Sequence, residues 1–494
     1  EPREAAVFMD KVRIRFAPSP TGSLNLRRAR TALFNWLFAQ AYNGTLVFRS
    51  EDIDQERSSV EAEESIQADL AWLGIGWDEG PDKEGPYGPY RQTERRDVYA
   101  RFTKRLIEDG FAYQCFCSER ELADQRREML SHGETPRYTG RCRNLTEEDR
   151  ARLIADGRTP VVRFRTPGGR TIAFTDLIQE QVEVGSEGIT DFIIVKADGL
   201  PTYNFAVVLD DHLMGITHVI RGDEHLTNTA RQIMLYEALG WKPPEFAHLP
   251  PLTDEERRLS ATVGLGTVDE YRKRGYLPEA LVNFLVLLGW EGSEKPFFSL
   301  QEAAESFRLE QITKKPAIFS PSKLREINTH YLKRSSPERV LELALPHLQQ
   351  AGYVNEPNEP ERTWLLQLAQ AMRGELGEVA EISDQASFFF QSEVQPESGK
   401  ARLVLKEEQV PAVFAAVEER LDNLAELKPA HIRTELRQLC KDMNLTTRRV
   451  YLPLRVALTG RLRGPEIFQI MALLGRDRVK ARLQAVRKLG FYNS

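Results

Sequence analysis

The chain has 494 residues, of which 41% are hydrophobic and 28% charged, and its formal net charge is −6. This composition is typical of a soluble globular protein and excludes disordered and fibrous classes. At roughly 100–200 residues per domain, the length predicts about three to five domains. No apolar run reaches the roughly 18 residues of a transmembrane helix, and four cysteines are too few for a disulfide-built secreted scaffold. We therefore expect a protein of a reducing cytoplasm or organellar matrix, without a membrane partner.

The N-terminal part of the chain predicts a βαβ unit. Residues 11–17 alternate polar and apolar side chains and predict a strand, and the turn-rich loop 18–22 follows it. Residues 29–37 carry apolar side chains at helical spacing, and this helix is predicted to end near Gly44. A second strand is predicted at 45–48. The loop after the first strand of such a unit is where ligands of open α/β sheets bind.

Further along the chain, the succession of strand and helix patterns is interrupted and then resumes. Residues 113–200 contain short strands, turns and three clustered cysteines, which predict an inserted domain. The runs 202–209 and 217–221 are strand-like and predict the second half of the same sheet. After about residue 264 the pattern is almost entirely helical.

Glycine and proline residues predict where helices begin and end in the C-terminal region. Gly464-Pro465 predicts the start of a helix with proline at its first position, and Gly475 predicts the end of that helix. A second helix is predicted to run to Gly490. The proline-containing stretch at 356–361 predicts a linker.

Charge is distributed unevenly along the chain. Residues 429–494 contain 14 Lys and Arg against 4 Asp and Glu, a local excess of ten positive charges in a protein that is acidic overall. Such asymmetry indicates either a polyanionic partner for this part of the chain or a solvated basic helix face. Charge alone does not separate the two interpretations.

Several long strings occur in the same order as in one known family. They are Arg15-Phe-Ala-Pro-Ser-Pro-Thr-Gly22, Ala29-Arg-Thr-Ala-Leu-Phe-Asn-Trp36, Arg49-Ser-Glu-Asp-Ile-Asp54, Asp198-Gly-Leu-Pro-Thr-Tyr-Asn-Phe205, the stretch Asp210–Arg221, and Pro453-Leu-Arg-Val-Ala-Leu-Thr-Gly460. With them, the chain resembles glutamyl-tRNA synthetases, class I enzymes of the bacterial and organellar type, from about residue 11 to its C-terminus.

The resemblance implies an α/β fold: a Rossmann-type parallel-sheet catalytic domain split by an α+β insertion, followed by all-α stem-contact and anticodon-binding domains. The implied segments are Rossmann halves at 11–112 and 201–263, an acceptor-arm-binding insertion at 113–200, a stem-contact region at 264–335 and a helical anticodon-binding domain at 336–494. In this family, glutamate and ATP give glutamyl adenylate, and the glutamyl group then moves to its tRNA. With this resemblance, the basic C-terminal segment favours a tRNA surface, because Lys and Arg neutralise backbone phosphates.

A pocket selective for glutamate needs cations for two carboxylates and an anion for the ammonium, and the planar arginine fork suits carboxylates. By resemblance, Arg15 and Arg221 face the carboxylates, Glu51 accepts from the ammonium, and Ser19 and Tyr203 complete the polar wall. Without the resemblance, the positions of Arg15 and Glu51 indicate an ordinary ion pair between neighbouring strands.

The two ATP-site signatures of the family are altered. The first normally runs His-hydrophobic-Gly and then His, Gly, Asn or Thr; here it is Asn25, Leu26, Arg27 and Arg28. Arg27 replaces the glycine that lets adenine approach the backbone. The second is normally Lys-Leu-Ser-Lys-Arg; here it reads Arg258, Leu259, Ser260, Ala261 and Thr262, without the lysine that contacts the phosphates.

Two functions therefore remain open. One is a synthetase-shaped protein that keeps its glutamate and tRNA sites but cannot activate glutamate, acting as a regulator, sensor or structural subunit with a protein partner. The other is an active glutamate-tRNA ligase that uses ATP and Mg²⁺, in which arginines replace the usual phosphate contacts.

Outside these signatures, the main candidate site is a cysteine cluster. Cys115, Cys117 and Cys142 supply three ligands of a tetrahedral zinc site. Some relatives complete such a site with Tyr or His, and Tyr138 is the available fourth ligand here. The alternative is three buried thiols that pack as small hydrophobic groups.

The remaining polar residues near the predicted sheet are expected to have structural roles. Asp210 and Asp211 are predicted to lie at a strand end and to hold the catalytic loops rather than Mg²⁺. His212, His218 and His225 are predicted to serve orientation or packing.

Overall fold

The computed structural model describes residues 11–185, 188–256, 265–292 and 295–488. The chain divides into two compact units. The first runs to Asp269 and includes Val282–Ser320, and the second consists of Glu270–Leu281 and the chain from Pro321 onward. The finer division into five segments at 112, 200, 263 and 335 remains a prediction.

A six-stranded sheet organises the first unit. Its strands, in spatial order, are β2 (Thr45–Phe48), β1 (Arg13–Phe16), β8 (His218–Gly222), β9 (Glu245–Leu249), β5 (Thr171–Asp176) and β6 (Glu180–Gly185). Each neighbouring pair is parallel except the β5–β6 hairpin. All four residues of β2 are buried, as expected for a parallel strand covered on both faces. This arrangement confirms the predicted Rossmann-type sheet.

The β5–β6 hairpin belongs to the main sheet, although its sequence lies within 113–200. Asp176 of β5 pairs in parallel with Phe246 of β9. A separate antiparallel sheet contains β3 (Ala112–Cys115), β4 (Val161–Phe164) and β7 (Ile193–Val195). Strand pairing between distant segments depends on tertiary contacts, so alternation along the sequence does not reveal which sheet a strand joins.

The first unit also contains the helices α1 (Leu26–Ala41), α2 (Val60–Trp72), α3 (Arg96–Glu108), α4 (Glu119–Ser131), α5 (Glu147–Ala155), α6 (Tyr203–Leu213), α7 (Leu226–Leu239) and α10 (Leu300–Ser306). Helices α8 (Val268–Lys273) and α9 (Pro278–Leu287) each include residues of both units. A two-stranded ladder in the first unit pairs β10 (Leu252–Thr253) with β11 (Ala317–Ile318). The predicted succession of β1, α1 and β2 is confirmed, and α1 ends at Ala41, close to Gly44.

The prediction of a strand at 202–209 is wrong, because this segment forms helix α6. Every residue from Phe205 to Asp211 is buried, so the helix shows no polar face in its sequence. A short apolar run that is buried all round cannot be assigned to helix or strand by periodicity alone. Asp210 and Asp211 consequently lie inside a helix and not at a strand end.

The second unit is helical. From residue 321 it contains α11 (Pro321–Arg334), α12 (Pro337–Gln350), α13 (Glu359–Met372), α14 (Ile382–Gln385), α15 (Gly399–Leu405), α16 (Val410–Asn423), α17 (Pro429–Asp442), α18 (Thr447–Thr459) and α19 (Ile467–Lys488). Gly475, with φ 77° and ψ 162°, interrupts α19 as predicted. Gly490 lies outside the described residues.

Two boundary predictions in this unit are wrong. Helix α19 begins at Ile467, so Pro465 precedes the helix; the first helical hydrogen bonds run to the carbonyl of Glu466. The predicted linker 356–361 already includes the start of α13. Asn358 caps that helix in a reciprocal pair with Glu361, and a proline in the first turn is compatible with a helix.

Candidate functional site

A cavity of about 200 Å³ lies at the carboxyl ends of β1 and β8 and at the first turn of α1. The carboxyl ends of the strands are where open α/β sheets bind ligands. The cavity is lined by all five residues predicted for a glutamate pocket and by two arginines from the first turn of α1: Arg15, Ser19, Glu51, Tyr203, Arg221, Arg27 and Arg28. The fold thus brings residues from five separate stretches of sequence to one place.

Arg15 is paired with Asp211 of α6. Its Nε donates to Asp211 Oδ1 at 3.1 Å, and Arg49 Nη1 donates to the same oxygen at 2.7 Å. Arg49 also donates to Glu51 Oε1 at 3.1 Å. All four side chains are at least nine-tenths buried. The interpretation of a direct Arg15–Glu51 pair is therefore replaced by a buried chain of two guanidinium groups and two carboxylates.

The pKa values of the two carboxylates in this buried group, Glu51 and Asp211, are shifted in opposite directions. Burial raises the pKa of Glu51, and the attraction of Arg49 and Arg15 does not fully offset it. Burial acts on Asp211 in the same direction, but Arg15 and Arg49 outweigh it and lower its pKa. Asp210 holds another loop, since it accepts from Arg95 Nε at 2.7 Å and Gln92 Nε2 at 2.8 Å. Both aspartates thus hold segments around the site by ion pairs and hydrogen bonds.

Arg221 of β8 is 4% exposed and, within the described part of the chain, donates only to neutral groups. Its Nη2 donates to Thr229 Oγ1 at 2.6 Å and Gln232 Oε1 at 2.8 Å. Its Nε donates to His248 Nε2 at 3.2 Å. Among the described residues, its Nη1 is buried without a hydrogen-bond partner. A buried guanidinium with an unused donor beside a cavity is suited to an anionic ligand.

His248 was not identified from the sequence, although it fixes the position of Arg221. Its Nδ1 lies 2.6 Å from Asp176 Oδ2, and both side chains are fully buried. We assign the Nδ1 proton from this contact, which leaves Nε2 as the acceptor for Arg221. Burial lowers the pKa of His248, consistent with a neutral ring. Asp176 lies on β5 and His248 on β9, and the pairing of these two strands brings the side chains together. This pairing is a tertiary contact that sequence patterns do not indicate.

The other predicted histidines make different contacts. His225 lines the cavity with Nδ1 at 3.4 Å from the Tyr203 hydroxyl, and burial together with Arg221 and Arg15 lowers its pKa to about 3. The imidazole of His225 is therefore neutral at pH 7. His212 stacks on Trp241 with ring centroids 3.7 Å apart, and His218 packs against Phe38. These two are packing contacts.

Of the four residues predicted to form the first signature, Arg27 and Arg28 line the cavity. Asn25 caps α1 by accepting the backbone N–H of Arg28 at 2.9 Å, and Leu26 is fully buried. Arg27 forms an ion pair with Glu224 at 3.4 Å. Arg28 Nη1 donates to the carbonyl of Ser19 at 3.3 Å. Arg258, Leu259, Ser260, Ala261 and Thr262 of the second signature lie outside the described residues.

The cysteine cluster brings four donors together. The sulfurs of Cys115, Cys117 and Cys142 lie within 4.8 Å of one another, and the Tyr138 hydroxyl is 3.3 Å from Cys115 Sγ. The guanidinium of Arg163 lies 3.9 Å from the Tyr138 ring centre. The hydrogen bond from Cys117 is the largest influence on the Cys115 thiol, and it lowers the pKa of that thiol. Three close thiols and a hydroxyl match the number of donors in a tetrahedral zinc site.

Many arginines of the basic C-terminal segment are used within the fold. Arg482 is buried and donates to the carbonyls of Phe388, Gln391 and Leu458, and Arg478 donates to the carbonyl of Phe389. Lys480 and Arg433 are paired with acidic side chains. Exposed basic residues cluster instead where α17 ends and α18 begins: Arg437, Lys441, Arg448 and Arg449. The sequence excess of ten charges therefore overstates the charge that faces solvent.

Comparison with known proteins agrees with this fold. Residues 11–326 match the family described as "tRNA synthetases class I (E and Q), catalytic domain", and residues 339–487 match an anticodon binding domain. The chain therefore belongs to the class I tRNA synthetases of the E and Q type, as the sequence motifs predicted. In the described part of the chain, no helix combines the length and the apolar character needed to cross a membrane.

Within this class the chain is similar to glutamate–tRNA ligases, and it is a glutamyl-tRNA synthetase-like protein. The ligase of Carboxydothermus hydrogenoformans is 48% identical over 96% of this chain and 99% of its own. That of Bacillus subtilis is 42% identical over 97% of this chain and 100% of its own. A crystal structure of the Elizabethkingia meningosepticum glutamate tRNA ligase in complex with its amino acid covers 97% of this chain and 99% of its own, with a TM-score of 0.84 and 33% identity.

Proposed function

We propose that this protein binds L-glutamate and a glutamate-type tRNA but does not activate glutamate with ATP at the rate of an active synthetase. The observation that carries the proposal is that Arg27 and Arg28 line the same cavity as the five glutamate-pocket residues. The amino-acid end of the cavity keeps its polar groups, whereas the first turn of α1 carries two long cations.

Each glutamate-pocket residue has a role that its surroundings support. Arg221 Nη1, which has no hydrogen-bond partner among the described residues, is available to a carboxylate, and Asp176 through His248 keeps the guanidinium in place. Arg15 is oriented by Asp211 and contributes the second cation. Glu51 accepts from the ammonium, while Ser19 and Tyr203 complete the polar wall. Arginine forks recognise carboxylates by paired, charge-assisted hydrogen bonds, which favours glutamate over its uncharged amide.

Activation needs ATP seated so that its α-phosphate meets the substrate carboxylate. In this family the first signature lets adenine lie against bare backbone at the start of α1. Here Arg27 is held there by Glu224, and Arg28 is held by Ser19. These side chains do not fit a nucleotide base packed against backbone. No lysine stands at position 261 to contact the phosphates, so the charge of the transition state also loses a preorganised donor.

An active glutamate–tRNA ligase is the second candidate. It is favoured by the 42–48% identity to glutamate–tRNA ligases over nearly the whole chain. In this case ATP and Mg²⁺ are used, and Arg27, Arg28 and Arg258 supply the phosphate contacts. Lys and Arg are not interchangeable at such positions, because one is a point charge and the other a rigid fork.

The tRNA is proposed to contact both units. The anticodon-domain match and the exposed cluster of Arg437, Lys441, Arg448 and Arg449 support binding of the anticodon end by the second unit. The segment 113–200 is proposed to bind the acceptor arm. If the protein does not aminoacylate, we propose that it serves as a regulator, sensor or structural subunit with a protein partner, in a reducing cytoplasm or organellar matrix.

Calorimetry with each ligand separately tests the proposal. L-Glutamate is expected to bind, and Arg221→Gln is expected to weaken that binding by about 10–100-fold, since a charged hydrogen bond is lost. L-Glutamine serves as the uncharged control ligand and is expected to bind poorly. MgATP is expected to give no saturable heat. The affinity for tRNA is expected to fall steeply as salt rises, and a flat salt response would contradict the electrostatic argument.

We also propose that Cys115, Cys117, Cys142 and Tyr138 hold a structural zinc ion. Such an ion would lie outside the catalytic sheet and stabilise the β3–β4 region. Metal analysis of the purified protein is expected to give about one zinc per chain. Cys142→Ser is expected to release it, whereas Cys440→Ser, a buried cysteine in the second unit, is expected to leave it bound. Equal zinc contents in both variants, or none in the wild type, would favour three packed thiols.

A further inference from the structure

The charges that the described residues place around the cavity leave two cations without a carboxylate partner. Arg15 and Arg49 are balanced by Asp211 and Glu51, and Arg27 is balanced by Glu224. Arg221, deep in the cavity, donates to neutral groups. Arg28 reaches the cavity from the first turn of α1.

Among the described residues, Arg28 has no carboxylate within ion-pair distance, and its hydrogen bond from Nη1 to the Ser19 carbonyl at 3.3 Å leaves donors of its fork unused. Burial and then Arg27 lower the pKa of Arg28, and the attraction of Glu224 and Glu51 does not fully offset them. Arg221 provides an independent sign of a ligand, because its Nη1 is buried, unpartnered within the described part of the chain and beside the same cavity. An anion at each end of one ligand would satisfy both forks.

We propose that Arg28 binds the α-carboxylate of the glutamate whose side-chain carboxylate is bound by Arg221 and Arg15, so that the ligand is held at both ends. This inference rests on the proposed binding of glutamate. In an activating synthetase the α-carboxylate is the group that attacks the α-phosphate of ATP. A fork that binds this carboxylate in the resting complex stabilises the ground state, and such binding does not accelerate the reaction. The altered first signature thereby makes the cavity a receptor for free glutamate.

Calorimetry with two ligands and matched variants tests the role of Arg28. The ligands are L-glutamate and isoglutamine, its α-amide, in which the α-carboxylate is replaced by a neutral amide. In the wild type, glutamate is expected to bind about 10–100-fold more tightly than isoglutamine. Arg28→Gln is expected to weaken glutamate binding by a similar factor and to change isoglutamine binding by less than about twofold. Arg28→Lys, which keeps the charge but not the fork, is expected to recover part of the loss.

The controls separate this inference from the proposed function. Arg101→Gln removes an exposed arginine on α3, away from the cavity, and is expected to bind glutamate like the wild type. If the wild type binds no glutamate, the proposed function itself is wrong. If glutamate binds and the Arg28→Gln loss is absent, or is equal for both ligands, the assignment of Arg28 to the α-carboxylate is wrong while the proposed function stands. Equal affinities of the wild type for glutamate and isoglutamine would by themselves contradict the assignment of Arg28 to the α-carboxylate.

Discussion

Replacing Arg27 by glycine together with Ala261 by lysine is expected to raise glutamate-dependent ATP–pyrophosphate exchange by about 10²–10³-fold, measured with tRNA present. The first change reopens the space beside the first turn of α1, which Arg27 and its partner Glu224 occupy. The second change restores an ammonium group for the phosphates. The wild type is expected to show no exchange above background, since several lost donors together cost more than roughly 10⁵ in rate, although such losses are not strictly additive.

The two single variants separate the contributions. Arg27→Gly alone is expected to improve ATP affinity, measured by calorimetry, because it removes a steric obstacle. Ala261→Lys alone is expected to change affinity little while Arg27 remains. Wild-type exchange on the order of 1–10³ s⁻¹, a rate usual for enzymes, would establish the ligase instead. A double variant with unchanged ATP affinity would show that Arg27 does not obstruct ATP binding.

Asp211→Asn is expected to lower the free energy of unfolding of the first unit by about 3–5 kcal/mol, measured by urea denaturation. The substitution removes the carboxylate shared by Arg15 and Arg49 and leaves two buried guanidinium groups with reduced compensation. The pKa of Asp211 is lowered in the folded protein, so its stabilising effect is present above the unfolded pKa of about 3.9 and is lost as the pH falls through the folded pKa. The stability difference between wild type and variant should therefore close only in strong acid.

A surface ion pair provides the control for this prediction. Glu94→Gln removes the carboxylate 3.3 Å from Arg91, in an ion pair whose side chains are about a third or more exposed, while Arg91 keeps its second partner Glu63. Exposed pairs of this kind contribute about 0–1 kcal/mol, so this variant should unfold close to the wild-type midpoint. A loss for Asp211→Asn no larger than that for Glu94→Gln would show that the buried chain of charges does not stabilise the fold.

The same buried charges show why the site was only partly predictable. The motif around Arg15 and the motif around Glu51 identified candidate ligand-binding residues, and the structure places them in one cavity. Their actual ion-pair partners are Asp211 and Arg49. Asp211 lies on a helix whose sequence does not distinguish helix from strand, because its neighbours are buried on all sides. Pairing between residues 196 positions apart leaves no periodic signal in the sequence.

The sequence also does not show which charged side chains remain available to a partner after folding. The basic excess of residues 429–494 is correct as a count, yet Arg478 and Arg482 satisfy backbone carbonyls inside the second unit. Buried carbonyls need donors, and a long guanidinium can reach several of them at once. The number of charges available to a nucleic acid is therefore decided by packing and not by composition.

By itself, the sequence determined the succession of β1, α1 and β2, the break at Gly475 and the family, because local periodicity and collinear motifs carry these features. Only the tertiary structure decided that Arg49 and Asp211 compensate Arg15, that Asp176 and His248 orient Arg221, and that Arg28 faces the same cavity without a carboxylate partner among the described residues. The physical reason is that electrostatic compensation depends on distance and burial. Both are set when remote strands and helices pack together.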